Sequence, residues 1–273
     1  MTGGQTMEIH TNTLNRLMNM TRRTQTVAGK AQDQVIACVL RFGDDACSTT
    51  SLVRDGKTSV SHFRVAATGE GAIPIPDIDR LQGVLKFHGN NVTMSLNGNK
   101  LLVKSGSKQT TLLADEGGLA FPHSTDTIGE WESKSSALAG QIDPVKGYTM
   151  RAGTTRAPFW TWTVNATELF EAFRCDQMNG QKLNRYTLTF DGANIAVATG
   201  DELKGQTSTE WETLYMGAEP WEATFEGGLE NVLKHLDGDI TLRLIDFRPE
   251  GQGIRLILDA DTSGWVFQAS VLR

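Results

Sequence analysis

Little in this sequence points to covalent or cofactor chemistry. Three cysteines, Cys38, Cys47 and Cys175, are odd in number and match no metal-ligand spacing, which argues against a disulfide framework and for a reducing, cytoplasmic setting. The sequons at Asn19, Asn91 and Asn165 carry little weight, because no basic-then-apolar leader precedes them. No apolar run approaches the ~20 residues needed to cross a bilayer, so no membrane partner is expected. There is no glycine-rich phosphate loop, no Gly-x-Ser-x-Gly elbow and no His-Glu-x-x-His. His10, His62, His88, His123 and His235 are scattered, none with a second ligand at metal spacing on a predicted helix. Asp44-Asp45 and Asp259/Asp261 fall in turns, where aspartate is favoured for backbone reasons. Met18, Met20, Trp160 and Trp162 read as core. The expectation is a protein with no catalytic residue, no metal and no cofactor.

What is present describes an ordinary globular chain: 273 residues, 39% hydrophobic and 21% charged, enough for one large domain or two of usual size. The net charge of −6 argues against a nucleic-acid partner if it is spread evenly. It is not spread evenly. Ile9 through Gln32 holds no acidic residue, yet carries Arg16, Arg22, Arg23 and Lys30. An acidic protein with one concentrated basic face still attracts phosphate there; the plainer reading is a solvated helix surface.

The strongest signal is an internal repeat. Leu81 to Leu96 (LQGVLKFHGNNVTMSL) matches Leu229 to Leu244 (LENVLKHLDGDITLRL), with Leu81/Leu229, Val84/Val232, Leu85/Leu233, Lys86/Lys234, Thr93/Thr241 and Leu96/Leu244 identical. Each copy reads as a short amphipathic helix followed by an alternating strand and a hairpin. A repeat at this scale means modular architecture.

Residues 1–7 read as a leader outside the fold. From Glu8 a strand leads to a helix capped by Asn12 or Thr13, with Leu14, Leu17, Met18 and Met20 on one side. Strands follow at Gln34–Arg41, Ser48–Val53 and Ser59–Ala66, with a turn at Asp55-Gly56. Pro74 and Pro76 bring the chain into a helix over Asp77–His88, and strands at Val92–Leu96, Lys100–Lys104 and Gln109–Ala114 close the first unit. Residues 121–158 read as a connector. The second unit, 159–273, repeats the order: strand Trp160–Val164, helix Thr167–Met178, strands Tyr186–Phe190, Ile195–Ala198, Thr207–Tyr215 and Glu222–Phe225, helix Leu229–Leu236, and three closing strands. The predicted class is α+β: two similar domains of antiparallel sheet, residues 8–120 and 159–273, each with two helices.

This order resembles that of the DNA sliding clamps. Gly89–Leu112, with its Leu-x-Val-x-Ser-Gly hairpin, is similar to the bacterial replicase clamps. So are Ile195–Lys204, although Asp201-Glu202 stands where that family has His-Arg, and the closing strand Ser263–Arg273. The resemblance implies two clamp domains per chain, six per ring, and hence a homotrimer forming a pseudo-sixfold ring. It implies a polymerase processivity factor that encircles double-stranded DNA without reading its sequence and binds polymerase and clamp loader. DNA-facing candidates are Arg16, Arg22, Arg23 and Lys30 from the first helix and Arg80 and Lys86 from the second. Arg174, Lys182 and Arg185 lie at and beyond the third, and Lys234 with His235 on the fourth. Carried over by position, the client-peptide pocket takes Leu138, Ile142, Thr199, Gly200, Leu203, Val266, Gln268, Ser270 and Leu272. Two rival readings remain: a virion or other structural protein with duplicated β-rich domains, and an enzyme on an unrecognised α+β fold.

Overall fold

The computed structural model describes residues 6–27, 30–35, 37–53, 59–114, 126–178, 185–201, 205–213, 219–226 and 229–270. In the first half the order is β1 (Met7–His10), α1 (Thr11–Thr21), a hairpin of β2 (Arg23–Val27) and β3 (Lys30–Val35), and β4 (Cys38–Gly43). Then come β5 (Ala46–Val53), β6 (Ser59–Ala66), β7 (Gly71–Ile75), α2 (Ile78–Leu85), β8 (Asn91–Asn97), β9 (Lys100–Ser105) and β10 (Lys108–Leu113). Between the halves lie α3 (Ile128–Ala139) and three short strands, β11 (Ile142–Asp143), β12 (Gly147–Thr149) and β13 (Thr155–Arg156). The second half runs β14 (Trp160–Asn165), α4 (Ala166–Met178), β15 (Arg185–Phe190), β16 (Asn194–Asp201), β17 (Gly205–Glu212) and β18 (Trp221–Glu226). It ends with α5 (Leu229–Leu233), β19 (Asp239–Asp246), β20 (Ile254–Asp259) and β21 (Gly264–Ala269).

Each half builds the same two antiparallel sheets. The first half has β1-β8-β9-β10 and β7-β4-β5-β6, and the second has β14-β19-β20-β21 and β18-β15-β16-β17. One strand pair then fuses the halves: β21 lies antiparallel to β6, Gly264 opposite Phe63 through Gln268 opposite Ser59, making one eight-stranded sheet. Period-two alternation gives this sheet two apolar faces. Phe63 and Val266 join the main core under the helices, while Val60, Trp265 and Phe267 face the other way.

The helices form a continuous row in the order α2, α1, α5, α4. Gln82 Nε2 donates to Asn19 Oδ1 and Arg22 pairs with Asp79, joining α2 to α1. Arg16 Nε donates to the His235 carbonyl just past α5, which crosses from one half to the other. Helix α4 packs beside α5. Helix α1 buries Leu14, Leu17, Met18 and Met20, and its buried Thr21 hydroxyl bonds to Thr49 of β5 at 2.6 Å.

Several predicted boundaries move. Strand β1 begins at Met7, inside the presumed leader, because Met7 and Ile9 are the buried alternate residues. Helix α1 is capped by His10, whose Nδ1 accepts from Asn12 N, and not by Asn12 or Thr13. Arg23 and Lys30 lie on the β2–β3 hairpin rather than on α1; the alternating Thr24, Thr26 and Val27 favour strand over helix there. Helix α2 stops at Leu85 and α5 at Leu233, shorter than predicted. Strand β7 contains Pro74, where the sequence predicts only an approach to α2; as an edge strand it has room for a residue without an N–H. The Asp55-Gly56 turn and residues 1–5 lie outside the described residues.

The largest departure is α3. Its Thr127 and Glu130 form a capping box, and Trp131 drives into the second apolar cluster with Ile142, Ile245, Phe247, Ile257, Trp265 and Phe267. Trp131 Nε1 donates to the Leu52 carbonyl at 3.1 Å. The segment read as a connector is therefore a folded cover over the seam between β6 and β21, on the sheet face opposite the other four helices.

Candidate nucleic-acid interface

The four-helix row is the surface that gathers most of the predicted basic residues. Arg80, Lys86 and Lys234 are exposed, and none has an ion pair among the described residues. Lys86 follows α2 and Lys234 follows α5 at the same place in the repeat. Arg16, Arg22 and Arg174 are also there but paired, with Asp237 at 3.6 Å, Asp79 at 2.7 Å and Glu171 at 2.9 Å. These pairs are solvent-exposed, so each contributes only about 0–1 kcal/mol and yields readily to a phosphate. Burial, then the Lys234 and Arg16 charges beside it, hold His235 below the ordinary imidazole range. It is neutral at pH 7 and adds no positive charge. Arg185 is exposed at the start of β15. Lys182 lies outside the described residues.

The helix ends facing this surface come from local chemistry. Asp77 caps α2, its Oδ1 accepting from Arg80 N at 2.8 Å, and Asn165 Oδ1 accepts from Thr167 N at the start of α4. Leu81, Leu85, Val232 and Leu233 are buried underneath, which fixes Lys86 and Lys234 outward. Trp160 is core as expected, its ring 5.0 Å from that of Trp221. Asp44 and Asp45 have φ of 51° and 53° in the β4–β5 turn, the backbone role predicted for them. Asp259 lies at the end of β20, where it pairs with Arg243 at 2.7 Å.

Among the described residues, the predicted client-pocket residues fall into separate groups. Leu138 and Ile142 belong to the apolar cluster under α3. Val266 and Gln268 face the helix side of β21, where the Tyr186 hydroxyl donates to Gln268 Oε1 at 2.6 Å and the buried Thr199 lies opposite Tyr186. Ser270 Oγ accepts from Ile254 N at 2.9 Å. Leu138 and Ile142 thus lie on the sheet face opposite Val266 and Gln268. Gly200 lies in β16; Leu203 and Leu272 are outside the described residues.

No known family model and no curated protein matches the sequence. The fold does match, and it is that of the sliding clamps. The DNA polymerase III beta subunit of Thermotoga maritima superposes with a TM-score of 0.58 at 17% identity, covering 98% of this chain and 65% of that one. A DnaN sliding clamp of Pseudomonas aeruginosa, solved bound to griselimycin, gives 0.61 at 15% identity, again over 98% and 65%. The Caulobacter crescentus pol III beta gives 0.60 at 16% identity, over 100% of this chain and 68% of that one. The chain thus spans about two thirds of the length of the bacterial subunits it resembles. None of its described helices is long and apolar enough to cross a membrane.

Proposed function

We propose that this protein is a DNA sliding clamp, a processivity factor without catalytic chemistry that encloses duplex DNA and tethers a polymerase to it. The observation that carries the reading is the unbroken helix row α2-α1-α5-α4, backed throughout by antiparallel sheet and shared equally by two halves of one plan. Helices facing inward place lysine and arginine near phosphates without reaching base edges, so the contact is sequence-independent. Two repeats per chain and six per ring give three copies. The acidic remainder of the surface keeps DNA off the outside, which reconciles a net charge of −6 with a nucleic-acid partner. We assign polymerase and loader peptides to the edge of the apolar cluster under α3, with Leu138 as a partly exposed apolar side chain there.

The test uses residues that hold nothing else in place. The triple change of Arg80, Lys86 and Lys234 to alanine is expected to leave the fold intact and to weaken DNA-dependent polymerase stimulation at moderate salt by about tenfold. Loss of three phosphate contacts flattens the slope of log affinity against log salt by up to about 3. An unchanged slope would remove these residues from the DNA surface.

A further inference from the structure

The two halves share one plan, so each residue of α1 has a counterpart on α4. Ile9 lies opposite Val92 and Val164 opposite Ile240, and Val92 and Ile240 match in the repeat. Helices α1 and α4 therefore align position by position. Leu14 then coincides with Leu169 and Met18 with Phe173, and all four are buried. The apolar stripe is kept, but the solvent face is not. Where α1 has Thr13, Arg16 and Asn19, α4 has Glu168, Glu171 and Arg174. We propose that Glu168 and Glu171 are positioning residues that hold the DNA backbone away from α4, so that the duplex rests on α1 and α2 of each copy. This rests on the clamp reading above and specifies which part of the helix row carries the phosphates.

The charges along the row change character from one end to the other. On α1 and α2, with the residues that flank them, Arg16, Arg22, Arg80 and Lys86 stand against two exposed acids, Asp77 and Asp79. Asp77 caps α2 and Asp79 pairs with Arg22, while α1 itself contains no acid. Lys234, just past α5, carries the basic stretch to the middle of the row. On α4 the pattern inverts. Glu168 and Glu171 are both exposed and stand three residues apart, neighbours on one helix face. Arg174 is the helix's one cation, and Glu171 holds it at 2.9 Å. Glu168 has no ion pair among the described residues.

The helix starts repeat the contrast. The first turn of α1 has no acid, whereas the first turn of α4 has Glu168, which offsets the positive end of the helix dipole. A phosphate near α4 therefore meets two carboxylates, and repulsion acts over about one Debye length, ~8 Å at physiological salt. Acids on the outer surface keep DNA off the outside; these two act on the inner wall. A wall that is basic on one side of each copy makes fewer phosphate contacts than an evenly basic one, which favours sliding over tight holding.

Two measurements on the full chain test this. In the first, binding to a short blunt-ended duplex is followed by fluorescence anisotropy across a salt series. The proteins are the wild type, E168Q, E168Q/E171Q and a control with the same change in net charge, D44N/D45N, in the β4–β5 turn away from the helix row. E168Q/E171Q should tighten binding by about threefold or more at low salt, with the gain shrinking as salt rises. E168Q, which releases no arginine, should share that gain, and the control should show far less of it. In the second, a photo-crosslinking side chain is placed at Asn12 of α1 or at its exposed counterpart Thr167 of α4. Crosslinking to the duplex should favour Asn12, and E168Q/E171Q should narrow the preference. No gain from neutralising the acids, an equal gain from the control, or even crosslinking from both sites overturns the role given to Glu168 and Glu171. If the triple change of Arg80, Lys86 and Lys234 still flattens the salt slope, the clamp reading survives that failure; an unchanged slope removes both.

Discussion

Gly264→Ala is expected to be the most damaging single-methyl addition in the described chain. Gly264 opens β21 directly opposite Phe63, with φ of 120°, a conformation that L side chains rarely adopt. A Cβ built there lies 2.1 Å from the His62 carbonyl oxygen and 2.7 Å from the Phe63 Cα, both backbone atoms that cannot swing aside. Overpacking and backbone strain together cost about 3 kcal/mol or more. The damage falls on the one strand pair that fuses the halves. Urea denaturation should show a lowered midpoint, and limited proteolysis should cut faster between the halves. An unchanged midpoint would mean that β21 and β6 do not approach as closely as described.

Trp131→Ala is the second large effect. The side chain is 1% exposed, fills the centre of the cluster under α3, and donates its indole N–H to the Leu52 carbonyl. Truncating a buried tryptophan costs about 3–5 kcal/mol through lost burial and the cavity left behind, and here it also strands the Leu52 acceptor. The main core lies on the other face of the sheet, so the loss should be partly local. Helix α3 should become protease-sensitive and exchange its amides before the sheets unfold. A cost below about 1 kcal/mol would mean that α3 does not anchor the seam.

The reading of the fold from sequence succeeded where one physical rule governs. The repeat was legible because both copies must bury the same stripe, Leu81, Leu85 against Leu229, Leu233, and then alternate through Val92–Leu96 and Ile240–Leu244. The sheet-and-helix order of each half followed from that. Helix α3 leaves little trace in the sequence because it is anchored mainly by Ile128 and Trp131, with a buried Ser135 that bonds back to the Trp131 carbonyl. Its face looks polar in a segment rich in serine, threonine and proline. The Thr127-x-x-Glu130 capping box was the available signal. Strand β7 is hidden in the sequence by its proline, which suppresses strand propensity except at a sheet edge.

The site was legible in its charges and not in their partners. The repeat matches Lys86 with Lys234, and both are exposed just past the ends of α2 and α5. That Arg16 answers to Asp237, and Arg22 to Asp79, depends on helices brought together from distant sequence. Arg23 continues the helical spacing of Arg16 and Asn19, but the alternating Thr24 and Thr26 that follow mark a strand, and Lys30 lies on its partner. The pocket residues follow position in a likeness, and their sequence does not show that the segment holding Leu138 and Ile142 packs on the sheet face opposite Val266 and Gln268.

The direct test is topological. The protein is incubated with a nicked circular plasmid, and the mixture is then passed through gel filtration at high salt. Enclosure predicts that the protein stays on the circle, where electrostatic contacts alone would be screened, and departs once a single cut makes the DNA linear. Equal retention on circular and linear DNA, or loss from both, would contradict a ring around the duplex.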